Sequence, residues 1–494
     1  MIELYINGKK VEEHNVVPDM TVLRYLRTTK NLPGTKEGCG SGDCGACSVL
    51  AGDMVNGEWR YKTINSCITF LSQLHNKSLI TVEGLSQGSQ LHPAQQAMVD
   101  KHGSQCGFCT PGIVMSLTAL FENAPPNADF SLHEVYDALS GNLCRCTGYK
   151  PIIDAANAMK NYPGTIDVSI WTPSTERPVD EGGSDHSEGQ AWTPKTEEAL
   201  KQLLNDYPDA RLVAGATDLA LEVTQMHRRI HKLVAINQIA SLKTITETRD
   251  YLVIGGAATF TEIEPFLKGS FPEFAALMSR FASRQIKNSA TMGGNIASAS
   301  PIGDAPPVLI ALNAEIEISS LSGSRWVALD TFYIDYKKTI LGTGEYIRAI
   351  RIPHRKATEQ LKVYKISKRI EDDISAVLMA INITQQGDKI AAVRTGFGGM
   401  AAIPKAGAAI EAALLNQPMN VNTFRQAGLK VSEDFQPFND VRASANYRIQ
   451  VTQGLLEKCA LEMLNPQATS RVENVCTAKL HSDNVIAPSA QECV

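Results

Sequence analysis

This chain of 494 residues has no apolar run long enough to cross a bilayer, so nothing in it reads as a membrane span. It has no dense basic run either. Lys+Arg 47 against Asp+Glu 52 give a net charge of -5, which leaves a nucleic-acid partner unsupported. Met1 to Glu13 lack the charged-then-apolar order of a secretory leader and alternate instead around Asn7-Gly8, as a β-hairpin does. The ten histidines are scattered, with no H-E-x-x-H spacing, so none stands out as a metal ligand or as an acid or base for substrate chemistry. The length exceeds one ordinary core and points to three or four units.

What the chain does have is cysteine. Eight of its eleven cysteines fall in the first third, in two quartets of different spacing. The first is Cys39, Cys44 and Cys47 with Cys67 following, the C-x4-C-x2-C plus distant cysteine of plant-type 2Fe-2S ferredoxins. Gly38, Gly40, Gly42 and Gly45 give that loop the freedom to turn amide N–H groups toward sulfur. Cys67 is expected at the start of a later helix. Zinc or a disulfide is the alternative, but zinc knuckles pair C-x2-4-C units with each other, and disulfides are rare in a reducing compartment.

The second quartet is Cys106, Cys109, Cys144 and Cys146. Each pair precedes a proline-opened helix, Thr110-Pro111 in one case and Lys150-Pro151 in the other, so thiolates are expected at helix N-termini, where N–H groups favour negative charge. Two more amphipathic stretches, around Pro93 and around Leu132, complete a four-helix unit. A C-x-C pair suits an ordinary zinc finger poorly, so a cluster is favoured here too.

The segments Gly34 to Cys47, Gln105 to Gly112 and Gly141 to Tyr149 resemble the iron–sulfur region of the xanthine dehydrogenase and aldehyde oxidase family of molybdenum hydroxylases. The resemblance implies a multidomain α+β chain. Residues 1–86 would be a β-grasp 2Fe-2S ferredoxin-like domain and 87–162 a helical 2Fe-2S domain. Residues 163–190 would be a linker, 191–383 a flavin domain of the vanillyl-alcohol oxidase type, and 384–465 an α/β C-terminal subdomain. Composition supports two of these assignments, because Ser174 to Gln190 and the tail 466–494 are too polar to pack a core. Cys459, Cys476 and Cys493 have no partners at metal spacing and receive no ligand role.

Two glycine-containing segments follow the linker. Leu212 to Leu219 leaves a strand and opens a helix, which suits a phosphate, and Ala290 to Asp304 contains Gly293, Gly294 and Asn295. Alone, either segment is equally a tight structural turn. With the resemblance, Leu212, Val213, Ala214, Gly215, Ala216, Thr217, Asp218, Leu219, Thr291, Met292, Gly293, Gly294 and Asn295 are expected to hold FAD. Phe281 and Leu341 would line the flavin, Asp304 and Lys365 would add polar contacts, and Asp372 would meet NAD. Gly396 to Ala401 also satisfies a loose dinucleotide pattern, but Pro404 interrupts the helix that pattern needs, so a strand-end turn is expected.

The same resemblance implies a role in electron transfer. A molybdenum-molybdopterin centre on a separate large subunit would oxidise hypoxanthine or xanthine. Electrons would pass through the helical-domain cluster, with Gln105 near the pterin, then the ferredoxin-like cluster, FAD and NAD. Two such pairs would form a heterotetramer, and eight free thiols suit the cytoplasm. The rivals are the same module of a hydroxylase for aldehydes or N-heterocycles with another acceptor, and a zinc-stapled, non-redox binding protein.

Overall fold

The computed structural model describes residues 1–55, 58–86, 88–125, 127–162, 171, 182–186, 188–370 and 372–466. Strands β1 (Ile2–Ile6) and β2 (Lys9–Glu13) pair antiparallel through a two-residue turn. Asn7 and Gly8 both take positive φ there, as such a hairpin requires. Helix α1 (Val22–Thr28) follows, then β3 (Ser48–Val55), β4 (Glu58–Asn65) and β5 (Ser78–Ile80), giving a mixed sheet of order β2-β1-β5-β3-β4. Val22, Tyr25 and Leu26 of α1 bury against Ile2, Leu4 and Val49 of that sheet. This is the expected ferredoxin-like domain.

Four helices come next: α2 (Pro93–Asp100), α3 (Thr110–Glu122), α4 (Leu132–Leu139) and α5 (Lys150–Ala158). Proline stands in the first turn of α2, α3 and α5, where its missing N–H costs nothing. A Ser131–Glu134 capping box starts α4. Ile113, Leu117, Val135, Ile152 and Ala155 share one core with Leu50 and Ile80 of the preceding sheet, so the first two domains are fused through a common apolar interior. Trp171 fills that core from the expected linker: it is fully buried, donates Nε1–H to Gly84 O at 3.0 Å, and meets Tyr61 edge-on.

The rest of the expected linker over 163–181 lies outside the described residues, but its end does not behave as one. β6 (Gly182–His186) pairs with β7 (Gly189–Thr193), and both belong to a four-stranded sheet of order β6-β7-β9-β8. After β7 come α6 (Glu197–Asp206), β8 (Arg211–Val213), α7 (Leu219–Thr224) and β9 (Lys232–Ala235). The flavin-domain fold therefore begins before Ala191, because backbone pairing orders a segment whose side chains alone cannot.

A second sheet, antiparallel and of order β10-β11-β16-β12-β13, is built from β10 (Ile245–Glu247), β11 (Tyr251–Gly255), β12 (Glu315–Ser320), β13 (Gly323–Ala328) and β16 (Tyr346–Pro353). Helices α8 (Phe260–Ser270), α9 (Pro272–Met278), α10 (Arg284–Lys287), α11 (Met292–Ala297) and α12 (Ala305–Ala311) precede β12, and the short pair β14 (Tyr333–Asp335) and β15 (Lys338–Thr339) precedes β16. The last unit is an antiparallel sheet of β17 (Glu359–Ile366), β18 (Val377–Gln386) and β19 (Lys389–Gly398), backed by α13 (Ala408–Leu414), α14 (Val421–Gly428), α15 (Val431–Asp434) and α16 (Ala445–Leu464). Two expectations change here. A boundary at 383/384 would cut β18, so this unit starts at β17, and its sheet makes it α+β rather than α/β. Gly396 and Gly398 lie in β19 and Gly399 turns out of it at φ 76°, as a strand-end turn does. The polar tail lies outside the described residues beyond Pro466. Among the described residues no helix is long and apolar enough to cross a membrane.

Candidate functional site

Cys39, Cys44 and Cys47 sit on the loop between α1 and β3, and Cys67 sits in a single 3-10 turn, Ser66–Ile68, after β4. Gly42 turns at φ 84° and Gly45 at 66°, folding the loop so that amides reach sulfur. Ser41 N–H and Asp43 N–H both donate to Cys39 Sγ, at 3.4 and 3.3 Å. Cys47 Sγ lies 3.3 Å from Cys67 Sγ. Hydrogen bonds from Cys44 and Cys67 push Cys39 well below the usual thiol range, and Cys67 does the same to Cys47. Cys44 and Cys67 move up in return. The contacts Cys39–Cys44, Cys39–Cys67 and Cys47–Cys67 join the four thiols into one group, the residue types that a paired-iron cluster requires, and the amides add stabilisation of negative sulfur.

In the helical domain Cys109 is the N-cap of α3, as expected, whereas Cys144 and Cys146 precede the Tyr149 N-cap of α5 by about a turn. Tyr149 adopts φ 65°, and its hydroxyl accepts Cys144 N–H at 2.9 Å. Burial, then a hydrogen bond to Cys144, pushes the Cys109 thiol up to about 12. Burial opposes ionisation of Cys144 too, but hydrogen bonds from the Thr147 hydroxyl and N–H, the Cys146 N–H and Cys109 together outweigh it and lower its pKa. A hydrogen bond to Cys106 raises Cys146. The sulfurs thus face each other as the pairs Cys109–Cys144 and Cys106–Cys146, with Cys106 and Cys146 exposed at the surface.

The two quartets are joined directly. Leu143 N–H, one residue before Cys144, donates to the carbonyl of Cys44 at 3.0 Å. Asn142 Nδ2 donates to Gly45 O at 3.2 Å, and Gln285 Nε2 of α10 donates to Asn142 Oδ1 at 2.9 Å and to Ser116 Oγ at 3.1 Å. Gln285 is fully buried where three domains meet. Beside it, Arg284 pairs with Asp137 and Glu264, and the buried Lys287 joins the same carboxylates. Gln285, Arg284 and Lys287 carry no motif, and their place at this junction is not legible in the sequence.

A cleft of about 580 Å3 opens beside the first quartet. All of Leu212 to Leu219 lines it, with Phe281, Thr291, Gly294, Asn295, Asp304 and Asp372. The short helices α7 and α11 both begin at this cleft. Ala216 is held at φ 65°, and the Asn295 Oδ1 atom is buried with no hydrogen-bond partner. A cleft of this size with helix N-termini and an unused polar atom fits a dinucleotide cofactor such as FAD.

Several sequence-expected residues sit elsewhere. Met292 and Gly293 are buried within α11 rather than on the cleft wall, and a Cβ on Gly293 would collide with Gly256 O. A Cβ on Gly215 would likewise strike Ser289 O. Both glycines allow backbone to pack on backbone, whereas Gly294, on the cleft wall, has only Thr291 Oγ1 near the position of a Cβ. Leu341 packs against the hydrophobic core behind it. Lys365 reaches the site through Asp304, donating Nζ–H to Oδ2 at 2.6 Å, while Ser375 Oγ donates to Oδ1 at 2.6 Å. Asp304 is therefore already the anchor of α12 to β17 and of the turn before β18. The sequence reading also missed that Ser41, Gly42 and Asp43, from the cysteine loop itself, form part of the cleft wall.

Four family models match in order: a 2Fe-2S iron-sulfur cluster binding domain at 4–72, a [2Fe-2S] binding domain at 81–157, the FAD binding domain in molybdopterin dehydrogenase at 187–355, and the CO dehydrogenase flavoprotein C-terminal domain at 362–463. Xanthine dehydrogenase/oxidase of Rattus norvegicus is 30% identical over 96% of this chain and 40% of its own length, and xanthine dehydrogenase of Emericella nidulans is 33% identical over 81% and 34%. The chain thus spans well under half the length of these relatives. Among solved structures, reconstituted CO dehydrogenase from Oligotropha carboxidovorans superposes with a TM-score of 0.53 at 25% identity, covering 56% of this chain and 97% of that one. Quinoline 2-oxidoreductase from Pseudomonas putida 86 shares the fold, with a TM-score of 0.50 at 22% identity over 55% of this chain and 94% of that one. With two cysteine quartets on hydrogen-bonded loops and a flavin-type cleft against one of them, the chain is an iron–sulfur and FAD electron-transfer module of the xanthine dehydrogenase-type molybdenum hydroxylases.

Proposed function

We propose that this module carries electrons released by hypoxanthine or xanthine oxidation at a molybdenum cofactor on a partner subunit, and delivers them to NAD. The observation that carries the reading is the shared wall: Ser41, Gly42 and Asp43 border the flavin cleft while the Ser41 and Asp43 amides bond the Cys39 sulfur. When bound, the two clusters would exchange single electrons and FAD would exchange one or two, which matches a two-electron oxidation to a one-electron relay.

The protein's part is positioning. Cys39, Cys44, Cys47 and Cys67 would hold one cluster and Cys106, Cys109, Cys144 and Cys146 the other. The Leu143–Cys44 hydrogen bond shortens the path between them. The exposed Cys106 and Cys146 face is the side suited to a molybdenum-bearing large subunit, with the buried ferredoxin-like quartet inside. Loop 212–219 with Thr291, Gly294 and Asn295 would cradle the FAD pyrophosphate, with Phe281 beside the flavin. Asp304 and Lys365 would fix the adjoining backbone, and Asp372, at φ 51° on the cleft rim, would face NAD. A heterotetramer of two such pairs in the cytoplasm completes the reading.

The likeness to CO dehydrogenase and quinoline 2-oxidoreductase favours a second substrate class, so the test offers both. The chain is purified anaerobically with its partner subunit, and NAD reduction is followed with hypoxanthine, xanthine, aldehydes and N-heterocycles. Purine-dependent NADH formation supports the reading, and turnover of other substrates with no purine activity overturns it. Cys109→Ser should abolish substrate-driven NAD reduction while chemically reduced flavin still reduces NAD. Full substrate turnover in that variant would contradict the relay order.

A further inference from the structure

A second cavity, of about 50 Å3, lies between the ferredoxin-like domain and the flavin domain. Its charged lining is entirely cationic: Lys62 of β4, Lys77 just before β5, and Lys243 from the turn preceding β10. Lys77 Nζ bonds Asp53 Oδ2 at 2.8 Å, and Lys243 Nζ lies 3.2 Å from Glu262 Oε1. Neither carboxylate is on the cavity wall. The Lys62 ammonium makes no hydrogen bond or ion pair among the described residues. Three ammonium groups against two carboxylates leave one positive charge uncompensated in a partly buried space, which is costly unless something pairs with it.

The neutral amides around the cavity spend their hydrogens elsewhere. Asn288 Nδ2 donates to Thr63 O, Gln73 Nε2 to Ala214 O and Asn237 Nδ2 to Gln73 O. The charged donors that remain are those of the lysines, beside the hydroxyls of Ser289 and Thr291. The volume exceeds the 10–15 Å3 or so that one water needs, and it is far below that of an organic phosphate.

We propose that this cavity is a binding site for one small tetrahedral oxyanion, sulfate or phosphate, held by Lys62 and Lys77 from one domain and Lys243 from the other. The anion would bridge the two domains and supply the missing negative charge. Ala214, Gly215 and Thr291 line both this cavity and the flavin cleft, so the bridge stands behind the loops that serve that cleft. Burial and then Lys77 hold Lys62 down at about 8, against the opposing pull of Asp53 and Glu262, with Lys243 adding to the lowering. A bound dianion favours the charged form, so affinity is greatest below the titration of Lys62 and falls as pH rises through it.

The test is calorimetric titration of sulfate, whose charge stays constant across that range, into the full chain saturated with FAD and in chloride-free buffer. The expected result is one sulfate per chain, weakened roughly tenfold or more by Lys62→Met and by moving from about pH 7 to about pH 9, and unchanged by Lys9→Met on exposed β2. If Lys62→Met does not fold, Lys243→Met reads the same site from the flavin-domain side. Absence of binding, binding only when FAD is withheld, or equal affinity in the cavity-lysine variants would overturn the site.

Discussion

The glycines of the flavin cleft divide into two kinds that the sequence does not distinguish. Gly293 faces Gly256 across a backbone contact, whereas Gly294 faces the cleft and a Cβ there would meet only Thr291 Oγ1, at 2.9 Å. Gly293→Ala should therefore lower stability by about 1–3 kcal/mol through overpacking. Gly294→Ala, which crowds only the Thr291 hydroxyl, should cost less stability and weaken FAD binding. Thermal unfolding of the FAD-free chain and fluorescence titration with FAD separate the two. Equal melting temperatures for both variants would show that the Gly256 contact carries no strain. The cysteine quartets were legible because cluster ligands must recur at fixed spacing. Asp304 was legible only as a polar residue in a glycine-rich loop, and its engagement with Lys365 and Ser375 depends on strands about 60 to 70 residues away that no local pattern reveals.

Among the elements, those with a local cause were read correctly. The Asn7-Gly8 hairpin, the proline-opened helices and the strand-to-helix loop at 212–219 each follow from backbone preferences of a few residues. The errors lay where pairing partners are distant. Gly182–His186 is polar yet becomes a strand because β7 supplies its hydrogen bonds, and the 383/384 boundary failed because β17 and β18 are one hairpin. Trp171 illustrates the same limit, since a single tryptophan in a polar stretch gives no periodic signal yet fills the core shared by the first two domains. Trp171→Ala should cost about 3–5 kcal/mol by the cavity it leaves. Urea unfolding of the apoprotein checks this, and an unchanged midpoint would mean that the tryptophan is not an anchor.

For the whole molecule, function depends on three domains keeping register at one junction. Arg284 joins Asp137 of the helical domain to Glu264 of its own domain, and its loss leaves Lys287 alone with two partly buried carboxylates. Arg284→Ala should destabilise by about 2 kcal/mol or more and raise hydrogen exchange along α4 and α10, while leaving iron content intact. Exchange unchanged at α4 would show that the domains are held by apolar contact alone. The order of the four units along the chain agrees with the sequence reading, but their meeting at Gln285 and Asn142 is a property of the assembled fold.

The most direct measurement is the metal and flavin content of anaerobically purified chain, with low-temperature electron paramagnetic resonance after reduction. The account predicts about four irons and one FAD per chain, with two separable cluster signals, one of which disappears in Cys109→Ser. Zinc in place of iron, or no flavin released on heating, would contradict it.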